Sequence, residues 1–143
     1  MDKRVILYVD GACRGNPGPG AIGVVILNNT GHTIRQISGY IGDTTNNKAE
    51  YRALITALEE AAQLGVQHLD IRTDSELLVR QLQQTYRVKS ANLRPLYQQA
   101  KELLAKFESF DITHIPRENN TVADRLANEA LDNRTSRNRH SRT

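Results

Sequence analysis

The chain has 143 residues, 38% of them hydrophobic, and a single cysteine, Cys13. This length predicts one domain with one substantial core. No apolar run approaches the roughly 18 residues of a membrane span, and the N-terminus shows no apolar signal segment, so we expect no contact with a membrane. A lone cysteine excludes an internal disulfide and favours a reducing compartment. We therefore expect a cytoplasmic, monomeric protein.

The positive charge of the chain is concentrated at its C-terminus. The arginines at that end are Arg134, Arg137, Arg139 and Arg142. Removing those four charges from the formal total of +3 leaves −1 for the rest of the chain. Residues 133–143 show no apolar period, so we predict a disordered basic tail after a folded domain at residues 1–132. Any nucleic-acid contact by the domain must therefore come from locally placed charge or from metal.

The first predicted element is a buried strand that leads into an aspartate. Val5 to Val9 is an unbroken run of apolar and aromatic residues, typical of a strand buried on both faces. Asp10 follows it, and 11–20 is a predicted Gly/Pro loop that lacks the Gly-Lys-Ser/Thr ending of a P-loop. A buried carboxylate must be paired, solvated or bound to metal. Taken alone, Asp10 is also compatible with a solvated turn residue.

The remaining elements give the order β-β-β-α-β-α-α-β-α. The further predicted strands are 21–27, 33–41, 66–73 and 110–115. The predicted helices are one opened at 44–47 and stopped at Gly65, a short one from Ser75 to Leu82, and two at 92–107 and 121–131. Apolar residues recur in these segments at strand or helix spacing. We therefore predict an α/β fold with a five-stranded mixed sheet, three antiparallel strands followed by parallel ones, flanked by helices on both faces.

Four acids are predicted to meet at one edge of this sheet. The right-handed crossover rule places strand 66–73 beside the first strand, so Asp10 and Asp74 end neighbouring parallel strands. Glu50 lies along the apolar stripe of the first helix, and Asp124 lies near the start of the last one. Without a visible lysine or arginine among them, these carboxylates would repel one another unless hard cations neutralise them. Taken singly, Asp74 also suits a turn or cap, and Asp124 a helix N-terminus.

Oxygen ligands of this kind favour particular metals and a particular reaction. Carboxylate oxygens bind Mg²⁺ or Mn²⁺ in preference to zinc. Two such ions about 4 Å apart can activate water and stabilise a leaving oxygen in phosphodiester cleavage. The four acids therefore indicate a site with two divalent ions.

Four segments in this order resemble ribonuclease H type 1. They are Tyr8–Gly20, Thr45–Tyr51, Thr73–Ser75 and Asn120–Ala127. The resemblance covers about residues 3–132 and implies a ribonuclease H-like fold. It also implies metal-dependent endonucleolytic hydrolysis of the RNA strand of an RNA–DNA hybrid, leaving 5′-phosphate and 3′-hydroxyl ends. The short connection between Leu82 and Asn92 leaves no room for the basic helix and loop that grip the hybrid in some members, so the chain resembles a short form.

The same resemblance implies roles for individual residues. Asp10 would bridge both ions, Glu50 and Asp74 would serve the ion near the leaving 3′-oxygen, and Asp124 would serve the ion that activates water. Glu50 would also contact the RNA 2′-hydroxyl, the group that separates RNA from DNA. The implied substrate-binding residues are Gly11, Asn16, Thr45, Asn46, Asn47 and Ser75. Amide side chains suit this task because they both donate and accept hydrogen bonds, although Asn16 is also typical of a turn.

The chain departs from the family in two places. Several relatives carry a histidine in the loop before the last acid, where it assists proton transfer or product release. His114 falls inside strand 110–115, so Glu118 or Arg117 is the better candidate for this role and His114 the weaker one. Glu76 stands where some relatives have a glutamine that contacts nucleic acid.

Three functions remain open at this level. The first is the nuclease, the second is a module that binds hybrids without cleaving them, and the third is a resolvase-like or transposase-like relative. The four acids favour the nuclease, while the asparagines and the lack of a second domain disfavour the third. The basic tail has two alternative interpretations, a non-specific contact with phosphate or a solubilising segment.

Overall fold

The structure, a computed structural model, describes residues 3–83, 87–134 and 136–140. Its strands are β1 (Arg4–Cys13), β2 (Gly18–Asn28), β3 (Thr33–Thr44), β4 (His68–Thr73), β5 (Ser109–His114) and β6 (Ser136–His140). Its helices are α1 (Asn46–Gln63), α2 (Glu76–Leu82), α3 (Arg94–Leu104) and α4 (Thr121–Asn133), with a 3-10 turn at Arg117–Asn119. None of the helices in these ranges is both long and apolar enough to cross a membrane.

The strands form one mixed sheet in the order β5-β4-β1-β2-β3-β6. β1, β2 and β3 pair antiparallel as a meander. β4 pairs parallel with β1, and β5 pairs parallel with β4. The predicted five-stranded mixed sheet is therefore confirmed, with β1 at its centre as its unbroken apolar run indicated.

The first strand is longer than predicted. Residues 11–13, expected to belong to a loop, continue β1 and pair antiparallel with residues 20–22 of β2. The parallel pairing of β1 with β4 stops earlier, at Val9 and Thr73. Glycine in this stretch permits close packing within a hairpin, which the Gly/Pro composition alone does not distinguish from a loop. Asp10 and Asp74 are thus the first residues beyond the parallel ladder on their two strands.

A sixth strand differs from the predicted disordered tail. Residues 136–140 form β6, which pairs antiparallel with 35–39 at the edge of β3. Arg134 takes a left-handed conformation with φ of 48°, and its guanidinium donates to the Tyr40 hydroxyl at 2.9 Å. An edge strand offers main-chain hydrogen bonds to any partner, so this pairing needs no apolar period in the sequence. Residues 135 and 141–143 of the predicted tail, and 84–86 of the predicted connection, lie outside the described residues.

Helices cover both faces of the sheet, as predicted. Val5, Leu7 and Val9 belong to the main core, which also contains the apolar residues of α1 and α3. Tyr8 points to the other side, where it packs near Leu126 of α4. Successive side chains of β1 point to opposite faces of the sheet, and both faces are apolar. The two layers of helices therefore pack against the central strand from opposite sides.

One acidic residue of α1 is buried against the sheet. Glu59 is exposed, whereas the neighbouring Glu60 is only 8% exposed. Its Oε1 lies 3.2 Å from NH1 of Arg35 on β3. The end of α1 passes over β3, and a long arginine side chain reaches the carboxylate there, which the helical period could not indicate.

Candidate active site

A cleft of about 490 Å³ opens at the edge of the sheet where β1 and β4 separate. All four predicted acids, Asp10, Glu50, Asp74 and Asp124, line it. One carboxylate oxygen from each of Asp10, Glu50 and Asp74 lies within 4.8 Å of the other two. Asp124 lines the same cleft but lies outside this compact group. The structure therefore brings together four acids from four different segments of the chain.

Close packing of α1 on β1 brings Glu50 to Asp10. A Cβ at Gly11 would overlap the backbone of Ala49 and Glu50, so the helix can approach this closely only because residue 11 is glycine. The Gly11 N–H donates to Glu50 Oε1 at 3.2 Å. Glu50 Oε2 is buried and has no hydrogen-bond partner among the described residues. One oxygen of Glu50 is thus held by the protein while the other is left unsatisfied.

A second glycine brings Asp124 to the same place. Gly23 on β2 lies directly opposite Asp10 in the antiparallel pairing. A Cβ at Gly23 would overlap the carbonyl of Ala123, so the first turn of α4 rests directly on the β2 backbone. Gly23 was not among the predicted site residues; a glycine inside a predicted strand is the only signal that pointed to a close approach.

Burial, together with repulsion between the carboxylates, raises the pKa of three of the acids. Burial, then the charge of Asp74 and a hydrogen bond with Asp124, raise the pKa of Asp10 to about 8. Burial also raises the pKa of Glu50 well above its usual value, with the charges of Asp10 and Asp74 adding to the effect. Burial likewise raises the pKa of Asp74. The group therefore holds protons that a divalent cation would displace.

A cation does stand beside the acids, which corrects the expectation that none would. Arg117, in the 3-10 turn before α4, lines the cleft. Its NH2 lies 3.8 Å from Asp124 Oδ1, and its side chain is 79% exposed. The charge of Arg117 lowers the pKa of both Asp10 and Asp74, though less than burial raises it. The turn places the side chain over the cleft, a contact that the polar loop sequence did not reveal.

The three candidates for the loop assistant occupy different positions. His114 is the last residue of β5, and its Nε2 lies 3.3 Å from the Asp74 carbonyl oxygen. His114 and Arg117 both line the cleft, whereas Glu118 is exposed and does not. The geometry therefore favours Arg117 and His114 over Glu118, and the role itself stays a prediction.

The predicted substrate-binding amides gather at the N-terminus of α1. Asn16 Oδ1 accepts a hydrogen bond of 3.1 Å from the Asn46 N–H, which joins the β1–β2 turn to this helix. Asn46 lines the cleft, and Asn47 is exposed beside it. Thr45 is the N-cap, with its hydroxyl accepting from the backbone N–H of residue 48 at 3.3 Å. These residues form one polar rim next to the acids.

The predicted contacts after Asp74 are less clearly directed at the cleft. The Ser75 hydroxyl accepts a hydrogen bond of 3.2 Å from the Leu78 N–H and so caps α2. Glu76 is exposed, and its Oε1 lies 3.6 Å from the guanidinium of Arg80. Binding of substrate by Ser75 or Glu76 stays a prediction.

Two asparagines near the acids were not assigned a role from the sequence. Asn120 is 1% exposed and donates to the Val9 carbonyl at 2.9 Å. Asn128 donates to the Asp124 carbonyl at 2.9 Å and lines the cleft. Asn120 is the N-cap residue of α4, yet its side chain makes no capping hydrogen bond.

The donor set fits a hard divalent cation. The ligand atoms are carboxylate oxygens, which Mg²⁺ and Mn²⁺ prefer. The unsatisfied Oε2 of Glu50 is a buried acceptor of the kind that a bound ion would satisfy. The residues present therefore agree with the predicted use of a divalent metal.

Comparison with known proteins points to one family. A family model described as reverse transcriptase-like matches residues 8–130. The chain is 47% identical over 129 residues to ribonuclease HI of Halobacterium salinarum, covering 90% of this chain and 65% of that protein. It is 42% identical over 130 residues to a bifunctional protein of Mycobacterium tuberculosis, covering 90% of this chain and 36% of that one. The chain thus spans less than two thirds of the length of these relatives.

Solved structures agree with the sequence relatives. A crystal structure of ribonuclease H1 from Halobacterium salinarum superposes with a TM-score of 0.89 at 47% identity, covering 91% of this chain and 98% of that one. A ribonuclease H1 named LC11, crystallised with an RNA/DNA hybrid, superposes with a TM-score of 0.87 at 44% identity, covering 91% and 98%. With the four acids at one sheet edge, these matches show that the chain belongs to the type 1 ribonuclease H family.

Proposed function

We propose that this chain cleaves the RNA strand of RNA–DNA hybrids endonucleolytically by a two-metal mechanism that leaves 5′-phosphate and 3′-hydroxyl ends. The observation that carries the proposal is the compact group of Asp10, Glu50 and Asp74 in an open cleft. A 44% identical structural neighbour was crystallised with such a hybrid, which supports this choice of substrate. The alternative function, binding of hybrids without cleavage, would be favoured if one of these acids were missing from the cleft.

The acids would hold two Mg²⁺ or Mn²⁺ ions, with Asp10 shared between them, Glu50 and Asp74 on one and Asp124 on the other. When bound, the ions would supply a nucleophilic hydroxide near neutral pH and neutralise charge on the leaving oxygen. Asp10 and Glu50 would give up their protons on binding, since their carboxylates are disfavoured only while no cation is present. The Gly11 N–H would keep one Glu50 oxygen in place during this change.

The polar rim at the start of α1 would hold the hybrid. Asn16, Asn46 and Asn47 are exposed there, and their amides can both donate and accept at sugar hydroxyls and base edges. Thr45 at the N-cap would contact a DNA phosphate, because a helix N-terminus favours an anion. Gly11 and Ser75 are the remaining substrate contacts of the proposal, on the β1 and β4 sides of the cleft.

Arg117 is the loop residue that we assign to the reaction. Its guanidinium is only loosely held by Asp124 and is mostly exposed, so it can turn to a phosphate oxygen without rearrangement of the backbone. Arginine stays protonated and therefore acts by stabilising charge, not as a base. His114, beside the Asp74 carbonyl, is the alternative for a step that needs proton transfer.

We also propose that the chain acts as a monomer in the cytoplasm. Cys13, a free thiol, is the only cysteine and suits a reducing compartment. Size-exclusion chromatography with light scattering would test the monomer, and fractionation of cells that make the protein would test its location.

One experiment tests the main proposal. A hybrid labelled on its RNA strand is incubated with the protein and Mg²⁺ or Mn²⁺, beside single-stranded RNA, single-stranded DNA and the Asp10→Asn variant. We expect cleavage of the hybrid alone, none by the variant, and RNA products with 5′-phosphates by mass spectrometry. Cleavage that persists in Asp10→Asn would refute the assignment of metal ligands.

The same experiment separates the enzyme from a binding module. Hybrid that is retained in a filter-binding assay but left uncut at every metal concentration would support binding without cleavage. Products with 3′-phosphates would overturn the two-metal mechanism while leaving the substrate assignment intact.

A further inference from the structure

We propose that Asn120 is a positioning residue that sets the spacing of the metal-binding acids. Its side chain is almost completely buried, with 1% of its surface exposed, at the junction of β1, β4 and α4. The proposal rests on the metal-binding role assigned to these acids above. It adds a residue that touches neither the metal nor the substrate but holds the groups that do.

The first contact of Asn120 lies where the parallel ladder ends. The parallel pairing of β1 with β4 ends at Val9 and Thr73. Asn120 Nδ2 donates to the Val9 carbonyl at 2.9 Å. The Val9 carbonyl belongs to the peptide group that bears Asp10, so the hydrogen bond acts directly on the backbone that carries the central acid.

The second contact reaches the neighbouring strand. The Asn120 side chain also lies close to the Asp74 carboxylate and lowers the pKa of Asp74, against the larger effect of burial. One carboxamide therefore spans the gap between β1 and β4 at the point where both acids leave the sheet.

The third contact is through the backbone of α4. The Asn120 carbonyl accepts a hydrogen bond of 3.1 Å from the Asp124 N–H, in the first turn of α4. The Asn120 N–H donates to the Arg117 carbonyl at 2.9 Å, which ties the 3-10 turn to the same residue. A shift of Asn120 would consequently move Asp10, Asp74 and Asp124 relative to one another.

The details of the site argue against a role in stability alone. Asn120 Oδ1 is buried and has no partner among the described residues, an arrangement that disfavours the folded state. The side chain also leaves the free N–H groups at the start of α4 uncapped, although asparagine is a good cap. Its donor group is directed instead at the Val9 carbonyl, in the peptide group that carries Asp10, as a residue that positions ligands requires.

The test uses binding of Mn²⁺ to the protein without hybrid, measured by calorimetry, together with steady-state cleavage. We expect Asn120→Ala to weaken Mn²⁺ binding about 10-fold and to lower kcat about 10- to 100-fold, with KM for the hybrid changed less than about 2-fold. The matched control is Ser38→Ala, which removes another buried hydrogen bond to α4, from Ser38 Oγ on β3 to the Leu126 carbonyl. The control should lose thermal stability without changing Mn²⁺ affinity.

The outcomes are distinguishable. A folded Asn120→Ala protein with wild-type Mn²⁺ affinity and kcat would overturn the positioning role, and so would an equal loss of affinity in Ser38→Ala. If Asn120→Ala is unfolded at the assay temperature, Asn120→Ser, which retains one hydroxyl donor, replaces it and should show a smaller loss of the same kind. Wild-type protein that neither binds Mn²⁺ nor cleaves the hybrid would instead refute the proposed function itself.

Discussion

The Gly11 N–H donates to Glu50 Oε1 at 3.2 Å, although 39 residues separate the two in the chain. A Cβ at residue 11 would overlap the α1 backbone, so Gly11→Ala must push the helix away from β1. We expect a loss of about 1–3 kcal/mol in the free energy of unfolding and a fall of about 100-fold in kcat for hybrid cleavage. Chemical denaturation and steady-state kinetics measure the two effects.

A matched control for this prediction is Gly31→Ala. Gly31 has φ of +89° and open space around its Cβ position, so alanine there strains the backbone without touching the site. The control should lose stability and keep its kcat. Equal kcat in Gly11→Ala and wild type would show that the packing of α1 does not place Glu50.

Stability of the metal-free protein should depend on pH through Asp10. Its pKa in the folded state is about 8, above the ordinary 3.8, so protonated Asp10 favours folding. This contribution is complete below about pH 4 and is lost as the pH rises through about 8. We expect Asp10→Asn, which cannot ionise, to raise the Tm in EDTA by roughly 5 °C at pH 9 and by much less at pH 5. Differential scanning calorimetry checks both values.

Addition of metal should reverse the order of thermal stability between wild type and Asp10→Asn. Mn²⁺ stabilises only the protein that binds it, so wild type should gain Tm with Mn²⁺ while Asp10→Asn gains less. An Asp10→Asn protein less stable than wild type in EDTA at pH 9 would contradict the repulsion among the acids.

Substitutions of Arg117 and Glu118 should have clearly different effects on kcat. Arg117 lies 3.8 Å from Asp124, whereas Glu118 is exposed outside the cleft. We expect Arg117→Ala to lower kcat for hybrid cleavage about 10- to 100-fold, because it removes the charge that we propose to stabilise phosphate. Glu118→Gln should stay within about 2-fold of wild type. A large effect of Glu118→Gln with none for Arg117→Ala would exchange the two roles.

The two glutamates at the end of α1 should differ in stability. Glu60 is 8% exposed and lies 3.2 Å from Arg35, so Glu60→Ala leaves a largely buried guanidinium without this partner. We expect a loss of about 2 kcal/mol in the free energy of unfolding, measured in urea, with kcat unchanged. Glu59→Ala, at the exposed neighbouring position, should cost less than about 0.5 kcal/mol. Equal losses of unfolding free energy in the two variants would show that the contact between Glu60 and Arg35 does not stabilise the fold.

The C-terminal segment should contribute to hybrid binding by its charge. The rest of the chain has a formal charge of −1, so the terminal arginines are its main excess of positive charge. Deletion of residues 135–143 should weaken hybrid binding at low salt. It should also make the salt dependence of log K shallower by about 0.9 for each phosphate that the shortened protein no longer neutralises. Fluorescence anisotropy at several salt concentrations measures this slope.

A protein with the C-terminal arginines neutralised distinguishes the effect of their charge from the effect of the pairing of β6 with β3. Replacing Arg137, Arg139 and Arg142 by glutamine keeps the main chain that pairs β6 with β3. It should reproduce the shallower slope of the deletion but retain more thermal stability. An unchanged slope in both proteins would favour the solubilising interpretation of the tail.

Much of the fold and the site followed from local patterns. The apolar run before Asp10, the alternation before Asp74 and the helical period around Glu50 each depend on neighbours in the chain, so strands, helices and the meeting edge could be predicted. Handedness of the crossover then placed β4 beside β1. These patterns predicted that the four acids share one edge, and the resemblance to ribonuclease H then implied their roles as metal ligands.

The remaining features depend on contacts between segments far apart in the chain. The role of Gly23 depends on the packing of α4 against it, and the role of Asn120 depends on the hydrogen bond from its amide to the Val9 carbonyl. The positions of Arg117 over the acids and of β6 on the edge of β3 likewise leave no periodic signal. Close approach, shared hydrogen bonds and edge pairing are properties of two surfaces together, so they appear only once the chain is folded.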